Sequence, residues 1–386
     1  MIHRYHSIET SFFGGGSLSL LPEEISKRKY KRALIVTDKF LFENGIADQV
    51  GRYILEGNAE YVIFYNVVPN PTVSIIHQCY EGVRSIDADF IIAVGGGSAI
   101  DTAKAVGILA TNGGSIEDYE GVNKSKVKSL PIIAVNTTAG TGSEVTSFYV
   151  ITNEKTQSKM VMVDVNCLVA IGINDTDVMI SMPKSLTAAT GMDALTHSIE
   201  AIFSKEANPY TDKDAMWAIS QIKDHLLPAY KDGSNRKARE VMAYAQYAAG
   251  MAFSNSGLGL VHAMAHSLGG FYNLPHGICN SILLPHVLEF NGRSKSSAEQ
   301  FKSVAISLGI AYIDRMSVEQ LKNAVITYIT NLSSELHIPK SFKEFGVEEK
   351  DFDALSDLVL MDTCLPSNPV TPTKNEVIQL FKKVTR

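Results

Sequence analysis

Apolar runs of β-branched residues alternate with helical stretches through the first half of the chain. Each run has five or six residues and ends in a polar or glycine-rich turn, as buried parallel strands do. The runs occupy residues 33–38, 61–66, 90–94 and 131–135. Amphipathic helical stretches lie between them, for example at 76–85 and 99–110. This alternation predicts a parallel sheet that is covered by helices on both faces.

The second half has a different pattern. After about residue 177, strand-like runs give way to long stretches in which Met, Ala and Leu recur at helical spacing. Examples are residues 187–203, 215–227 and 236–254. Pro183 interrupts the pattern before the first of them. We therefore predict an α/β domain with a Rossmann-like parallel sheet over residues 1–182, followed by an all-helical domain over residues 183–386.

Composition narrows the class of protein. The 386 residues are 45% hydrophobic and 20% charged with a net charge of -6, which is ordinary for a globular enzyme of two or three domains. Lys and Arg are scattered, which argues against nucleic acid as a partner. The polar N-terminus lacks the apolar core of a signal peptide, and no apolar stretch is long enough to span a membrane. Widely spaced cysteines predict a reduced, cytoplasmic protein with buried thiols: Cys79, Cys167, Cys279 and Cys364.

A glycine triplet follows the third apolar run. Gly95, Gly96 and Gly97 come directly after residues 90–94, and Ser98 opens a helical stretch. Glycines let a backbone approach a phosphate closely, and the amides at a helix N-terminus favour an anion. Ser98 could cap this helix. Because the triplet lacks the GxGxxG spacing, a tight turn before a capped helix explains it equally well.

Two further features suggest a nucleotide cofactor. Residues 136–144, Asn-Thr-Thr-Ala-Gly-Thr-Gly-Ser-Glu, follow the fourth run and suit contacts with adenine, ribose or phosphate. Asp38 ends the first run, where a carboxylate can bind an adenosine ribose and would repel a 2′-phosphate, which favours NAD over NADP. A helix N-cap is the simpler interpretation of Asp38 alone. Residues 14–17 repeat the Gly-Gly-Gly-Ser letters without a strong preceding strand and predict only a turn.

The helical half contains two clusters of candidate metal ligands. Asp193 and His197 are four residues apart, so they share one face of a predicted helix. Structural histidines seldom cluster, yet four crowd into one segment rich in glycine and alanine: His262, His266, His276 and His286. One carboxylate and three imidazoles would make a divalent-metal site with room for a substrate oxygen. The candidate set is Asp193, His197, His262 and His276.

Some of these neighbours have other interpretations. His262 and His266 are one helical turn apart, and both could bind a metal. His276 lies in a turn-like Pro-His-Gly setting that could aim it at the site. His286 follows a proline and favours a structural role. Cys279 is a soft alternative ligand, which we interpret as a buried thiol.

Several motifs, in this order, resemble the iron-containing (group III) alcohol dehydrogenases. They are Asn-Pro-Thr at 70–72, the glycine triplet with Ser-Ala-Ile-Asp at 98–101, the loop at 137–144, Gly-Met-Asp-Ala-Leu-Thr-His-Ser-Ile-Glu at 191–200, Gly-Leu-Gly-Leu-Val-His-Ala-Met-Ala-His at 257–266, Leu-Pro-His-Gly at 274–277 and Cys-Leu-Pro-Ser-Asn-Pro at 364–369. The resemblance covers essentially the whole chain. Lactaldehyde reductases, 1,3-propanediol dehydrogenases and primary-alcohol dehydrogenases are the branches it most resembles. Many members continue the last motif with Arg, whereas this chain has Val370.

The resemblance implies a dehydroquinate-synthase-like fold in which residues 1–182 bind the dinucleotide and residues 183–386 bind metal and substrate. It also implies NAD, a divalent metal, and a homodimer or a larger homo-oligomer. The implied metal ligands are Asp193, His197, His262 and His276, with His266 beside the nicotinamide. The implied cofactor contacts are Asp38, Asn70, Gly95, Gly96, Gly97, Ser98, Asp101, Thr137, Thr138, Thr141, Ser143 and Lys159.

These features predict hydride transfer between a nicotinamide and small neutral primary alcohols, diols or their aldehydes. A divalent metal would act as the Lewis acid, and His266 would either relay the proton or only order the nicotinamide by packing. Fe(II) is the predicted metal, although Zn(II), Co(II) or Ni(II) could use the same ligands. The alternatives are a glycerol-dehydrogenase-like zinc enzyme and a filament-forming nucleotide-binding protein. The pocket is predicted near Phe148, Phe253, Asn255 and Cys364.

Overall fold

The computed structural model describes residues 2–386, which divide into two compact units. One unit is His6–Met182, and the other contains Pro183–Arg386. The segment before His6 belongs with the second unit. There the Tyr5 hydroxyl donates to the Asp214 carboxylate at 2.5 Å, and its ring lies 5.7 Å from that of Tyr210. Within the described part of the chain, no helix is both long and apolar enough to cross a membrane.

The first unit is built on parallel strands. Its strands are β1 (Thr10–Phe13), β2 (Arg32–Asp38), β3 (Glu60–Val67), β4 (Phe90–Gly95), β5 (Gly121–Val122), β6 (Ile132–Asn136), β7 (Phe148–Asn153), β8 (Ser158–Val163) and β9 (Ile171–Asn174). Six of them form one all-parallel sheet in the order β1-β9-β6-β4-β2-β3. A smaller sheet has the order β5-β8-β7, with β7 and β8 antiparallel.

The helices of the first unit lie between strands of the main sheet, except the last of them, which follows β9. They are α1 (Leu21–Arg28), α2 (Lys39–Glu43), α3 (Ile46–Glu56), α4 (Val73–Ile86), α5 (Gly97–Asn112) and α6 (Thr176–Met179). The four predicted strands are present as β2, β3, β4 and β6, with ends within one residue of the prediction. The central strands β4 and β6 are buried along their whole length, as expected for a covered parallel sheet. The α/β prediction is therefore confirmed.

The parallel register brings three predicted cofactor segments to one edge of the sheet. Thr37 of β2 pairs with Val94 of β4, and Gly95 of β4 pairs with Asn136 of β6. Because all three strands run in the same direction, the segments that follow them leave the sheet at neighbouring points. The carboxyl edge of an open parallel sheet is where such folds bind nucleotides.

The second unit consists of helices. They are α7 (Lys184–Phe203), α8 (Pro209–Lys231), α9 (Arg236–Ser256), α10 (Leu260–Tyr272), α11 (His276–Asn291), α12 (Ser297–Ser307), α13 (Val318–Glu335), α14 (Phe352–Met361) and α15 (Lys374–Val384). Helix α7 lies at the centre and packs on α8, α9 and α11. Gly191 allows its close approach to α8, since an added Cβ would lie 2.1 Å from a methyl of Leu226. Helix α10 packs between α11 and α14.

Candidate metal centre and cofactor loops

Four side chains from three helices converge inside the helical unit. Asp193 and His197 lie one turn apart on α7, His262 lies on α10, and His276 is the first residue of α11. One donor atom from each lies within 4.8 Å of the others. The Oδ1 atom of Asp193 is 3.7 Å from Nε2 of His197, 3.8 Å from Nε2 of His262 and 3.7 Å from Nε2 of His276. The structure thus brings the whole predicted ligand set together.

Glu200 determines how His262 faces this set. Its Oε2 accepts from Nδ1 of His262 at 2.6 Å. The same carboxylate accepts from the backbone amides of Gly259 at 3.1 Å and Val261 at 2.7 Å, so it also fixes the start of α10. A carboxylate can only accept, so Nδ1 carries a hydrogen, and Nε2 is the nitrogen that faces Asp193 and is left for a metal. This carboxylate–histidine pair is typical of metal sites.

The charges of the cluster support one another. Burial alone would raise the pKa of Asp193, but the surrounding imidazoles of His197, His276 and His262 hold it well below its ordinary range. Burial alone would lower the pKa of His262, but the neighbouring carboxylates of Asp193 and Glu200 raise it to about 9. Asp193 is therefore a buried, ionised carboxylate that lies among three imidazoles, and such donors suit a divalent cation.

The two predicted cofactor loops pack directly against each other. A Cβ on Gly96 would lie 2.7 Å from Cγ2 of Thr138, and one on Gly97 would lie 3.0 Å from Cγ2 of Thr141. These glycines are therefore required for packing, whether or not a phosphate approaches them. Helix α5 begins at Gly97, and no side chain caps it, so the prediction that Ser98 is its cap is wrong. Its first amides keep their capacity to bind an anion.

A buried network behind these loops uses the side chains of Asp101 and Ser143. The Ser143 hydroxyl donates to Oδ1 of Asp101 at 2.6 Å, and Oδ2 accepts from the amide of Val150 at 3.0 Å. Lys104, which the sequence analysis did not select, donates from Nζ to three backbone carbonyls: Ser143 at 2.6 Å, Thr146 at 2.8 Å and Phe148 at 2.7 Å. The hydrogen bonds of Asp101 and Ser143 thus hold the second loop against α5.

The remaining predicted cofactor residues lie around this edge of the sheet. Asp38 caps α2 and accepts from the amide of Leu41 at 2.9 Å, which is the simpler of its two interpretations. Asn70 adopts a left-handed backbone with φ of 56°, and its Oδ1 accepts from Nζ of Lys159 at 2.5 Å. The Thr137 amide donates to the carbonyl of Gly95 at 3.1 Å, which ties the second loop to the first.

Comparison with known proteins identifies the family. The model of iron-containing alcohol dehydrogenases matches residues 9–176, and the model of the C-terminal part of the Fe-containing alcohol dehydrogenase family matches residues 187–385. The chain belongs to the iron-containing alcohol dehydrogenase family. The resemblance found in its motifs is therefore confirmed, and the chain is an oxidoreductase of the alcohol dehydrogenase class.

Relatives of this alcohol dehydrogenase match it over almost its whole length. Alcohol dehydrogenase 4 of Saccharomyces cerevisiae is 43% identical over 373 residues, which are 97% of this chain and 96% of the yeast protein. The 1,3-propanediol dehydrogenase of Klebsiella pneumoniae is 43% identical over 375 residues, with the same shares. A crystal structure of a 1,3-propanediol oxidoreductase covers 100% of both chains, with a TM-score of 0.94 and 42% identity.

The ligand set of this family member fits a divalent metal. Bonds of about 2.1 Å in a tetrahedral arrangement would separate ligand atoms by about 3.4 Å, so distances of 3.7–3.8 Å need only a slight contraction. One carboxylate with three imidazoles suits Fe(II) or Zn(II). Asp193, His197 and His262 are buried, whereas the His276 side chain is 28% exposed. The donors and their burial are those that a metal of this kind requires.

Asn280 was not predicted from the sequence. Its Nδ2 lies 2.7 Å from Oδ1 of Asp193, 3.0 Å from Nε2 of His262 and 3.1 Å from Nε2 of His276. Its buried Oδ1 has no hydrogen-bond partner among the described residues. Asn280 lies four residues after His276, a spacing that places both side chains on one face of a helix, and this was the signal in the sequence. His276 was predicted in a turn, but it begins α11, with Pro275 at the N-cap.

A second group of three side chains lies beside the ligands. Nδ1 of His266 is 2.9 Å from Oδ2 of Asp362, and Cys364 lies within 4.8 Å of both. Phe253 stacks on the ligand His197 with ring centroids 4.3 Å apart. Of the residues predicted near the substrate, Phe253 thus lies against a candidate ligand, and Cys364 lies beside His266 and Asp362. Cys279 is buried, forms no disulfide and lies outside both groups.

Proposed function

We propose that this alcohol dehydrogenase interconverts small neutral primary alcohols or diols and their aldehydes with NAD(H), at a divalent metal held by Asp193, His197, His262 and His276. Fe(II) is the proposed metal, and Zn(II) is the alternative that the same donors could hold. The convergence of one ionised carboxylate and three imidazoles is the observation that carries the proposal. Relatives named for 1,3-propanediol and lactaldehyde support a small hydroxylated substrate.

The chain's own residues have distinct parts in this chemistry. When bound, the metal supplies Lewis acidity toward the alcohol or carbonyl oxygen. Glu200 keeps the Nδ1 proton of His262 and so directs its Nε2 to the metal. Burial of Asp193, His197 and His262 excludes water from one side of the set. When bound, NAD(H) would supply the nicotinamide that accepts or donates the hydride, and His266 would accept the alcohol proton.

The NAD cofactor is assigned to the loops at the carboxyl edge of the sheet. Gly95, Gly96, Gly97 and Ser98 are proposed to bind the pyrophosphate, and the uncapped start of α5 supports this. Asp38, Asn70, Thr137, Thr138 and Lys159 are proposed for adenine, ribose and neighbouring groups. Thr141 and Ser143 are included as residues of the second loop, and Asp101 of α5 is included because it accepts from the Ser143 hydroxyl. The carboxylate of Asp38 favours NAD over NADP.

The assembly and location that we propose are inferred from the family and from the cysteines. We propose a homodimer or a larger homo-oligomer, as the family resemblance implies, in the cytoplasm. All four cysteines are buried and free of disulfides, which supports a reducing compartment.

The test is anaerobic NADH oxidation with a panel of short aldehydes, on protein that has been stripped of metal and reloaded with Fe(II) or Zn(II). Turnover is expected only after reloading, and its rate should depend on aldehyde structure. His197→Ala should lose both metal and turnover, whereas His286→Gln, on α11 outside the ligand set, should keep both. If no metal restores turnover with any aldehyde, the proposed function is wrong.

A further inference from the structure

Helix α10 presents two histidines, one turn apart, that share the same arrangement. His262 donates from Nδ1 to Glu200 at 2.6 Å, and His266 donates from Nδ1 to Asp362 at 2.9 Å. Carboxylates only accept, so each ring carries a hydrogen on Nδ1, and when the ring is neutral its lone pair is on Nε2. In His262 the Nε2 atom faces Asp193 in the metal site. The pair of His266 and Asp362 therefore has the local geometry of a metal-site histidine and its carboxylate, but Nε2 of His266 does not face Asp193.

His266 lies against the ligand set without joining it. Its ring stacks on that of His276 with centroids 5.4 Å apart and planes 13° apart, and it meets the His262 ring edge-on at 6.0 Å. No group within the described chain hydrogen-bonds to its Nε2. The residue is only 5% exposed. An acceptor atom is thus held beside the metal ligands with no partner from the described protein.

Asp362 is firmly held in place. It directly follows α14, and its amide donates to the carbonyl of Val359 at 3.2 Å. One carboxylate oxygen accepts from the Cys364 amide at 2.7 Å while the other accepts from His266. Burial tends to raise the pKa of Asp362, but His266 and the hydrogen bonds of Cys364 hold it below its ordinary value. Asp362 is therefore a fixed, ionised acceptor.

We propose that Asp362 is a positioning residue for the reaction, because it fixes the orientation and the Nδ1–H tautomer of His266 so that Nε2 takes the alcohol proton. This proposal rests on the proposed function. In the oxidative direction the substrate O–H bond breaks and an N–H bond forms at Nε2. The carbinol C–H bond breaks with both electrons, and the hydride reduces NAD⁺ to NADH. The proton then passes from His266 to solvent, and the reverse sequence serves aldehyde reduction.

A double-mutant cycle tests whether Asp362 acts through His266. The variants are Asp362→Asn, His266→Gln and the double variant, each loaded with Zn(II). Asp351→Asn is the matched control. Asp351 directly precedes α14 and also accepts from a side chain of α10, the Tyr272 hydroxyl, but it does not hydrogen-bond to His266. For each protein, kcat and KM for a short aldehyde, the NADH affinity and the metal content are measured.

Asp362→Asn is expected to lower kcat by about 10- to 100-fold, with KM, NADH affinity and metal content changed less than about threefold. In the His266→Gln background the same substitution should cost less than about twofold, because its effect passes through the imidazole. Asp351→Asn should leave kcat within about twofold of the wild type. An equal cost of Asp362→Asn with and without His266 would overturn the proposal.

Nitrogen NMR of histidine-labelled, Zn(II)-loaded protein gives a readout that is independent of turnover. The His266 signal, identified by its loss in His266→Gln, should show the Nδ1–H tautomer, and Asp362→Asn should mix both tautomers. A wild-type Nε2–H tautomer would contradict the proposal. So would two metals per chain that fall to one in Asp362→Asn, since His266, Asp362 and Cys364 would then be ligands. Wild-type protein that lacks turnover yet shows these NMR results would instead count against the proposed function.

Discussion

The amide of Asn280 donates to the carboxylate of Asp193 across 2.7 Å, inside the ligand cluster. The same nitrogen lies about as close to Nε2 of His262 as to Nε2 of His276, at 3.0 Å and 3.1 Å. An amide has only two hydrogens, so it cannot satisfy all three acceptors at once. The bond to the charged carboxylate is the shortest of the three. With a metal bound, the imidazole lone pairs would be used for coordination, and the Asn280 amide would then donate to the Asp193 carboxylate.

Asn280→Ala is expected to weaken metal binding by about 10- to 100-fold, because Asp193 loses the donor that orients its carboxylate. Metal affinity is measured by competition with a chelator, and the visible spectrum of the Co(II)-loaded protein reports the geometry. Ser281→Ala is the matched control, since the neighbouring side chain faces Ser333 instead. An unchanged affinity and Co(II) spectrum in Asn280→Ala would remove this role.

Glu200→Gln is expected to weaken metal binding by a similar factor of about 10 to 100 through His262. The amide cannot accept from the imidazole and from both α10 amides with the same strength, so α10 should also begin less stably. Chelator competition and thermal unfolding measure the two effects separately. Glu206→Gln, at an exposed position just beyond α7, should change neither. Loss of stability without loss of metal affinity would show that Glu200 serves only the helix.

The convergence of the candidate metal ligands could be predicted from the sequence because helical spacing carries the information. Asp193 and His197 are four residues apart on one predicted helix, and small residues around His262 allow close packing. Asp362 could not be predicted in the same way. It lies 96 residues after His266, and only the packing of α14 on α10 brings the two together. The spacing of residues within one helix carries no information about a contact between segments so far apart in the sequence.

The cofactor loops show a different limit of sequence reasoning. The strands β4 and β6 were predicted to within one residue, so the positions of both loops were correct. The contacts within them depend on tertiary neighbours. Asp101 and Ser143 bond to each other, and Lys104 bonds to the carbonyls behind the loop, because α5 packs beside it. The antiparallel pair β7 and β8 was missed, since its alternating pattern is weak.

Lys104→Met is expected to destabilise the first unit by about 2–4 kcal/mol, because it leaves three buried carbonyls without their donor. NADH affinity should fall as well, since the second loop loses its support. Urea unfolding and NADH fluorescence measure the two effects. Lys155→Met, at the exposed turn between β7 and β8, should leave both unchanged. Wild-type stability in Lys104→Met would mean that the network does not hold the loop.

Gly96→Ala separates the two interpretations of the glycine triplet. The added Cβ would lie 2.7 Å from Cγ2 of Thr138, so overpacking should cost about 1–3 kcal/mol of stability. NADH affinity should fall about tenfold or more if Gly96 also faces the pyrophosphate. Thr138→Ala removes the clashing atoms, so the double variant should recover its melting temperature but still bind NADH weakly compared with Thr138→Ala alone. If the double variant binds NADH as well as Thr138→Ala does, the glycine serves packing only, and the pyrophosphate must be assigned elsewhere.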